Sequence, residues 1–423
     1  MEVFAVGRLK VFLAIVLIVF STMMMSCSSQ DNIATTQEEK STKDISTTDE
    51  TTQELTEEVT TEEVDVYANE VNDIIDYMNL EEKVAQLFIV YPESLVPGVN
   101  CVTAAGEATK ESINNIPVGG VIYMSENLRN PEQTKTMLSN IQNYSIERTG
   151  LPILLCVDEE GGQTARIASN PAFEIEDVGD MSDIGASKDL QNAYDTGAYI
   201  GKYLHELGFN LDFAPDTDVK SSTFNPLIQR RAFSDDPEVV AEMASQYIKG
   251  LKDNKVIGVY KHFPGHGSTS GDPHKGYAFT SMTLDDLKKS DLKPFEKGIE
   301  EGVPAIMVGH ISLPNIITDG TPASLSKEII GGLLRNDMNF QGVVITDAMN
   351  MNAINDRYTP KEAAVMAIEA GADIVLMSKD FREAYQGVLD EIESGRISEE
   401  RIDESVERII RLKLEIKYAN NEN

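Results

Sequence analysis

Cysteine is scarce in this chain. The three present are Cys27, Cys101 and Cys156, and no two form a CxxC pair, which excludes a zinc ribbon and a thioredoxin-like site. Cys156 lies in the apolar run LPILLCV and reads as a small core residue; whether it pairs with Cys101 stays open from two positions alone. Basic side chains are also few: 36 Lys and Arg stand against 70 Asp and Glu, a formal net charge of −34. A field of that sign repels a polyanion, so nucleic acid is a poor partner. Long apolar runs are missing. The run from Val11 to Phe20 falls short of the ~20 residues a spanning helix needs. The first strand candidate does not lead into a glycine-rich phosphate turn but continues as FIVYPES. That argues against a doubly wound nucleotide-binding sheet, and it supplies no early His pair for a metal-dependent hydrolase.

What is present begins with an address. Arg8 and Lys10 precede the apolar run, which ends in STMMMSC; a positive start, a short apolar stretch and a small residue before Cys27 read as an export signal. The segment resembles a bacterial lipoprotein signal, which implies that Cys27 becomes the acylated first residue of an extracytoplasmic, membrane-anchored protein. If that resemblance fails, the same signal implies a secreted soluble protein. Residues 28–66 are mostly Thr, Ser, Glu, Asp and Gln. Such a stretch cannot bury enough surface to offset its ordering entropy and is expected to be a disordered, extended linker. The division is therefore 1–27 signal peptide, 28–66 linker and 67–423 folded domain.

The folded part is α/β. Apolar strand candidates recur at Phe88–Tyr91, Val118–Met124, Ile153–Asp158, Leu211–Ala214, Ile257–His262, Ala305–His310, Val343–Asp347 and Asp373–Met377. Amphipathic stretches such as DLQNAYDTGAYIGKYLHELG and DPEVVAEMASQYIKGLKDN lie between them, opening on Asp caps and closing on Gly or Asn. A third such stretch is SKEIIGGLLRNDMN. Eight strand–helix alternations predict a single (β/α)8 TIM-type barrel, with no second large domain expected. Strand after strand runs into polar chemistry, as VDEEGG, FAPDTD, VYKHFPGHG, MVGHI and VITDAMN. That matches the C-terminal strand ends where barrel enzymes keep their sites.

The most specific segment is KHFPGHGSTSGDPHKG, Lys261 to Gly276. With VDEEGGQTARI, NLDFAPDTDV, RRAFSDDP and VVITDAMNM in the same order, the chain resembles glycoside hydrolase family 3 over roughly Met78 to Leu376. Within the family it resembles the bacterial β-N-acetylglucosaminidases that act on cell-wall sugars. The resemblance implies a retaining mechanism with Asp347 as nucleophile and His274, polarised by Asp272, as acid/base. A carboxylate attacks the anomeric carbon and water later displaces it. An imidazole titrating near ~6.5 gives and retakes a proton without heavy burial, and a nearby carboxylate favours its protonated form. The resemblance further implies sugar contacts at Asp158, Arg166, Arg231, Lys261 and His262, and an apolar wall at Met351. No metal or other cofactor is implied. The expected partner is an N-acetylglucosamine-containing oligosaccharide or muropeptide, bound by a monomer.

Taken one by one, several of these residues have structural readings too. Asp347 would serve as a helix cap, Asp158 as half of a buried ion pair with an arginine, and Lys261 as a cap on the barrel rim. His266 reads as a structural part of the GHG turn, His310 as either a pocket residue or a satisfied strand end, and His205 as a surface residue. Three rival functions follow: a metal-dependent hydrolase using His262, His266, His274 and Asp347, a non-catalytic sugar-binding lipoprotein, and a β-glucosidase or xylosidase of the same family. The anchor reading is tested by fractionation. Cys27→Ser should move the protein from the membrane fraction to the medium, and an unchanged distribution contradicts acylation.

Overall fold

A computed structural model describes residues 66–220, 225, 228–270 and 278–420. The signal and all of the linker except Val66 lie outside the described residues, as do Asp272, His274 and Cys27.

Eight parallel strands form the centre: β1 (Phe88–Val90), β2 (Gly120–Ile122), β3 (Leu154–Val157), β4 (Leu211–Asp212), β5 (Ile257–Phe263), β7 (Ala305–Val308), β9 (Val343–Thr346) and β10 (Val375–Leu376). They pair in the order β10-β1-β2-β3-β4-β5-β7-β9. A parallel bridge between Ile345 and Ile374 joins the two ends of that order. The amide of Ile374 donates to Val344 O and that of Thr346 to Ile374 O, each at 3.0 Å, so the sheet closes on itself. Each of the eight strand candidates supplies one barrel strand. Their near-continuous apolar runs are buried on both faces, as parallel strands wrapped by helices require. Two short strands, β6 (Ala278–Phe279) and β8 (Ile311–Ser312), pair outside the barrel. At two residues each, they carry no periodic signal in the sequence.

The helices obey local chemistry. Leu190–Leu207 opens on Asp189, whose carboxylate accepts the Gln191 amide, and closes on left-handed Gly208 (φ 103°). Pro237–Asp253 has Asp236 bonded to the Glu238 amide. The SKEIIGGLLRNDMN stretch also winds, but as a π-helix over Glu328–Asp337. The last helix, Glu399–Ala419, starts from Ser398 bonded to the Arg401 amide and buries Ile402, Val406, Ile409 and Ile410. Cys156 is buried in β3 and Cys101 is exposed; both are free thiols, which settles the open question of a disulfide.

The N-terminal end of the barrel is held by one carboxylate. Asp373, fully buried before β10, accepts from Arg335 at 2.5 Å, Ser405 at 2.7 Å, Arg408 at 3.1 Å and the amide of Val344 in β9 at 2.8 Å. It thereby ties β9 to β10 and to the last helix, at the end of the barrel that serves stability. Asp373→Ala leaves two half-buried guanidinium groups and the Val344 amide without their partner and should cost about 2–4 kcal/mol. Urea unfolding of the variant checks this, and a loss below about 1 kcal/mol contradicts it.

Candidate active site

At the opposite end of the barrel the strand ends enclose an open cavity of about 760 Å3. Asp158, Arg166, Arg231, Lys261, His262, Asp347 and Met351 all line it. Seven positions spread over nearly two hundred residues are thus gathered in one place.

The chain reaches that arrangement by local means. Asp158 follows β3, and the two glutamates after it turn inward. Glu159 is fully buried and accepts the successive amides of Arg166, Ile167 and Ala168 at 2.5, 2.8 and 2.9 Å, together with the Tyr203 hydroxyl at 2.8 Å. Those bonds curl the loop back and bring the Arg166 guanidinium to 3.8 Å from Asp158. The Arg166 Nε is a buried donor with no partner among the described residues. Beyond β5, the KHFPGHG run turns on two glycines. Gly265 has φ 126°, and a Cβ at Gly267 would meet the Val219 carbonyl oxygen at 1.9 Å. Side chains are barred at both positions by conformation or by contact.

Glu160 is the hub. It is 1% exposed and accepts Lys261 Nζ at 2.6 Å and Arg231 through Nε at 2.7 Å and Nη2 at 2.8 Å. Lys261 also donates to Asp158 at 2.9 Å, and Arg231 Nε lies 3.3 Å from Asp216. Burial disfavours ionised Glu160, yet Arg231 and Lys261 outweigh it and hold the carboxyl down to about 2. Burial likewise works against the charge on Lys261, and Glu160 and Asp158 overcome it. Asp158 thus takes part in ion pairs with Lys261 and Arg166 while lining the cavity.

His262 follows Lys261 through a cis peptide bond and is fixed from behind. Its Nδ1 bonds to Asp218 at 2.8 Å. The other Asp218 oxygen accepts the His266 amide at 2.6 Å. Burial lowers the affinity of His262 for a proton, but the Asp218 carboxylate more than restores it, and the net shift is upward. Asp216, two residues before Asp218, is pushed the other way for a carboxyl, up to about 8, by burial and by that neighbouring charge. Asp216, Asp218 and His262 are the three described residues whose ligand atoms lie within 4.8 Å of one another. Their charge is already met by Arg231 and the imidazole.

Asp347 ends β9 with its carboxylate partly exposed to the cavity, and one oxygen accepts the Ala348 amide at 2.7 Å. Burial would raise its pKa, but His310, His262, the Ala348 N–H and His266 bring it below the ordinary carboxylate value. His310 is a satisfied strand-end residue: Nδ1 meets Ser324 at 2.7 Å and Nε2 meets the Ala348 carbonyl at 3.0 Å. It secures the turn that follows Asp347. His266 is held by Thr269 at 2.9 Å, as a structural histidine should be, and it also faces the cavity. His205 is half-buried in its helix. Sequence reasoning missed Glu160, Asp218, Tyr91 and Asn350. The doubled acid of VDEEGG and the paired acids of APDTD were the available signals.

A closed parallel barrel with carboxylates, cations and imidazoles converging at its C-terminal end is the architecture of the TIM-barrel hydrolases. The chain belongs to glycosyl hydrolase family 3, whose N terminal domain pattern matches residues 79–412. Beta-hexosaminidase A of Pseudoalteromonas piscicida is 32% identical over 355 residues, 78% of this chain and 59% of that protein. Beta-hexosaminidase LpqI of Mycobacterium tuberculosis is 36% identical over 274 residues, 62% of this chain and 68% of that protein. Among solved structures, a family 3 β-N-acetylglucosaminidase from Paenibacillus sp. superposes with a TM-score of 0.75 at 34% identity, over 81% of this chain and 63% of that one. The M. tuberculosis LpqI structure gives 0.71 at 31% identity, over 81% and 96%. The chain therefore spans about three fifths of the Pseudoalteromonas and Paenibacillus proteins.

The Asp218–His262 pair generates a titration test. With Asp218 present, His262 should keep its proton above the ordinary ~6.5. In Asp218→Asn the two larger influences that raise it are gone, burial and Arg231 work against only Asp216, and its midpoint should fall. Imidazole NMR titration reads both, and an unshifted midpoint contradicts the assignment.

Proposed function

We propose that this barrel is a retaining β-N-acetylglucosaminidase that removes terminal N-acetylglucosamine from β-glycosides. The observation that carries this is the placement of Asp347. It is an ionised carboxylate on the cavity wall, within one site that also presents Asp158, Arg166, Arg231, Lys261 and His262. Hydroxyl groups need both donors and acceptors, and this set offers both. The relatives named as hexosaminidases and acetylglucosaminidases support the same reading.

In this reading an Asp347 oxygen attacks the anomeric carbon while the bond to the leaving oxygen breaks. The His274 imidazolium, favoured by Asp272, gives its proton to that oxygen, leaving a glycosyl ester on Asp347. The neutral imidazole then takes a proton from water, whose oxygen attacks the same carbon and releases the Asp347 carboxylate. Both roles at 272 and 274 rest on the DPH motif. Arg166, Arg231, Lys261 and His262 orient the sugar, and the rigid network behind them supplies that orientation before substrate arrives. The substrates we assign are peptidoglycan fragments or chitooligosaccharides. We further propose that the enzyme acts outside the cytoplasm, held to the membrane through acylated Cys27, and that the acidic linker sets its distance from the surface.

A chromogenic panel tests the assignment. The enzyme should cleave a β-N-acetylglucosaminide at least about ten-fold faster, in kcat/KM, than the matching β-glucoside. Asp347→Asn should lower turnover by at least about a thousand-fold. His274→Ala should lose far more on natural sugars than on aryl glycosides whose phenolate leaves without a proton. Comparable rates on both sugars would falsify the acetylglucosaminidase reading, and an equal loss on both leaving groups would remove His274 from the acid role.

A further inference from the structure

Behind the cavity wall lies a buried acid that the chemistry above does not use. Asp291 stands between the helices Leu284–Lys289 and Lys293–Glu300 and is 2% exposed. The hydroxyls of Ser268 and Ser290 hydrogen-bond to its carboxyl, while its Oδ1 has no partner among the described residues. Burial, the largest influence, pushes the carboxyl up to about 6 against those two hydroxyls, and the charge of Asp218 adds to the rise. A bare, buried carboxyl oxygen costs free energy. An apolar side chain of the same shape would fill the space without that cost, so packing alone does not account for the acid.

Its contacts lead to one place. A Cβ at Gly265 would lie 2.5 Å from both the Cβ and the Oδ1 of Asp291, so this side chain is pressed directly on the GHG turn. The next residue of that turn, His266, gives its amide to Asp218 at 2.6 Å, and the turn is thus held between two acids. Ser268, which meets Asp291, also meets the Thr280 hydroxyl at 3.3 Å. Two residues on, Ser270 and Phe279 exchange both backbone hydrogen bonds, at 2.9 and 3.1 Å. The chain around Ser268 and Ser270 and the chain at Phe279 and Thr280 are therefore two stems lying side by side. The sequence between them carries Asp272 and His274. Asp291 is itself well anchored: Phe295, in the helix that follows it, packs edge-on against Phe263 of β5 with ring centroids 5.2 Å apart. Support of this kind, set on rigid elements behind a site, is what keeps reacting groups in register.

We propose that Asp291 is a positioning residue for the reaction, which fixes, through Ser268 and the GHG turn, the two stems that flank Asp272 and His274. The effect on proton transfer rests on His274 being the acid/base; the bracing of the stems does not.

The experiment uses the full-length protein as Asp291→Ala and as Ser268→Ala. The second variant cuts the same link at a half-buried position and decides alone where the first does not fold. On N,N′-diacetylchitobiose kcat should fall about ten-fold with KM within about two-fold, because the acid is displaced and the sugar contacts are not. On 2,4-dinitrophenyl β-N-acetylglucosaminide, whose phenolate leaves without a proton, kcat/KM should stay within about two-fold. A role confined to stability lowers both substrates alike. Hydrogen exchange read by mass spectrometry supplies the second measurement: the amides of Ser270 and Phe279 should exchange about five-fold faster in the variants, the worth of one lost hydrogen bond, with β3 unchanged. An equal fall on both substrates, no fall on chitobiose, or unchanged exchange at Ser270 and Phe279 overturns the proposal. If His274→Ala does not distinguish the two leaving groups, or the unmodified enzyme turns over neither substrate, the acid/base reading has failed and the exchange decides. Faster exchange confined to the stems then upholds the brace, and exchange that is unchanged, or that rises equally in β3, overturns it.

Discussion

Two cations, the buried Lys261 and the half-buried Arg231, rest on the single carboxylate of Glu160, and the mouth of the barrel is built around that contact. Removing three charges from water is costly, and the cost is met only when each finds its partners at good geometry. Lys261 comes from β5, Arg231 from the loop after β4, and Glu160 from the end of β3. Satisfying the charges therefore brings three separate strand ends to one point. Asp158 completes the coordination of Lys261, and Asp216 stands beside Arg231. The result is a set of donors already aligned at the cavity wall.

Behind this set lies a second layer that determines protonation. Asp218 keeps the His262 ring in one orientation and ties it to the GHG turn through the His266 amide. Asp216 and Asp218 are close neighbours that cannot both ionise cheaply, and the imidazole decides which one does. The opposite end of the barrel uses the same principle for a different end. Asp373 binds arginines from the π-helix and the last helix and also accepts the amide of Val344. Val344 belongs to the strand that delivers Asp347, so the register of that carboxylate is set from the far end of the barrel.

Much of the site was legible before folding was considered. KHFPGHG is constrained by glycine at two points, and such a run leaves little freedom in what surrounds it. Asp158, Lys261 and Asp347 each stand at the end of an apolar strand pattern, so their common destination followed from the alternation alone. Glu160 was not legible in the same way. In VDEEGG nothing in the spacing says that Glu159 turns to three backbone amides while Glu160 turns to two cations. Alternation across a strand end breaks down once the chain begins to curl. His310 showed a similar ambiguity, and it resolved into a support for the turn after Asp347 because Ser324 and the Ala348 carbonyl lie within reach.

The linear chain determined the barrel, through eight apolar runs alternating with helical stretches, and determined which side chains stand at the strand ends. Those are local properties, written in periodicity and in residues that permit or forbid a turn. The tertiary structure alone decided which acid serves which base and how each carboxyl divides its proton with its neighbours. Such outcomes depend on distances between residues far apart in sequence and on the removal of water from between them, and neither quantity exists until the chain has closed.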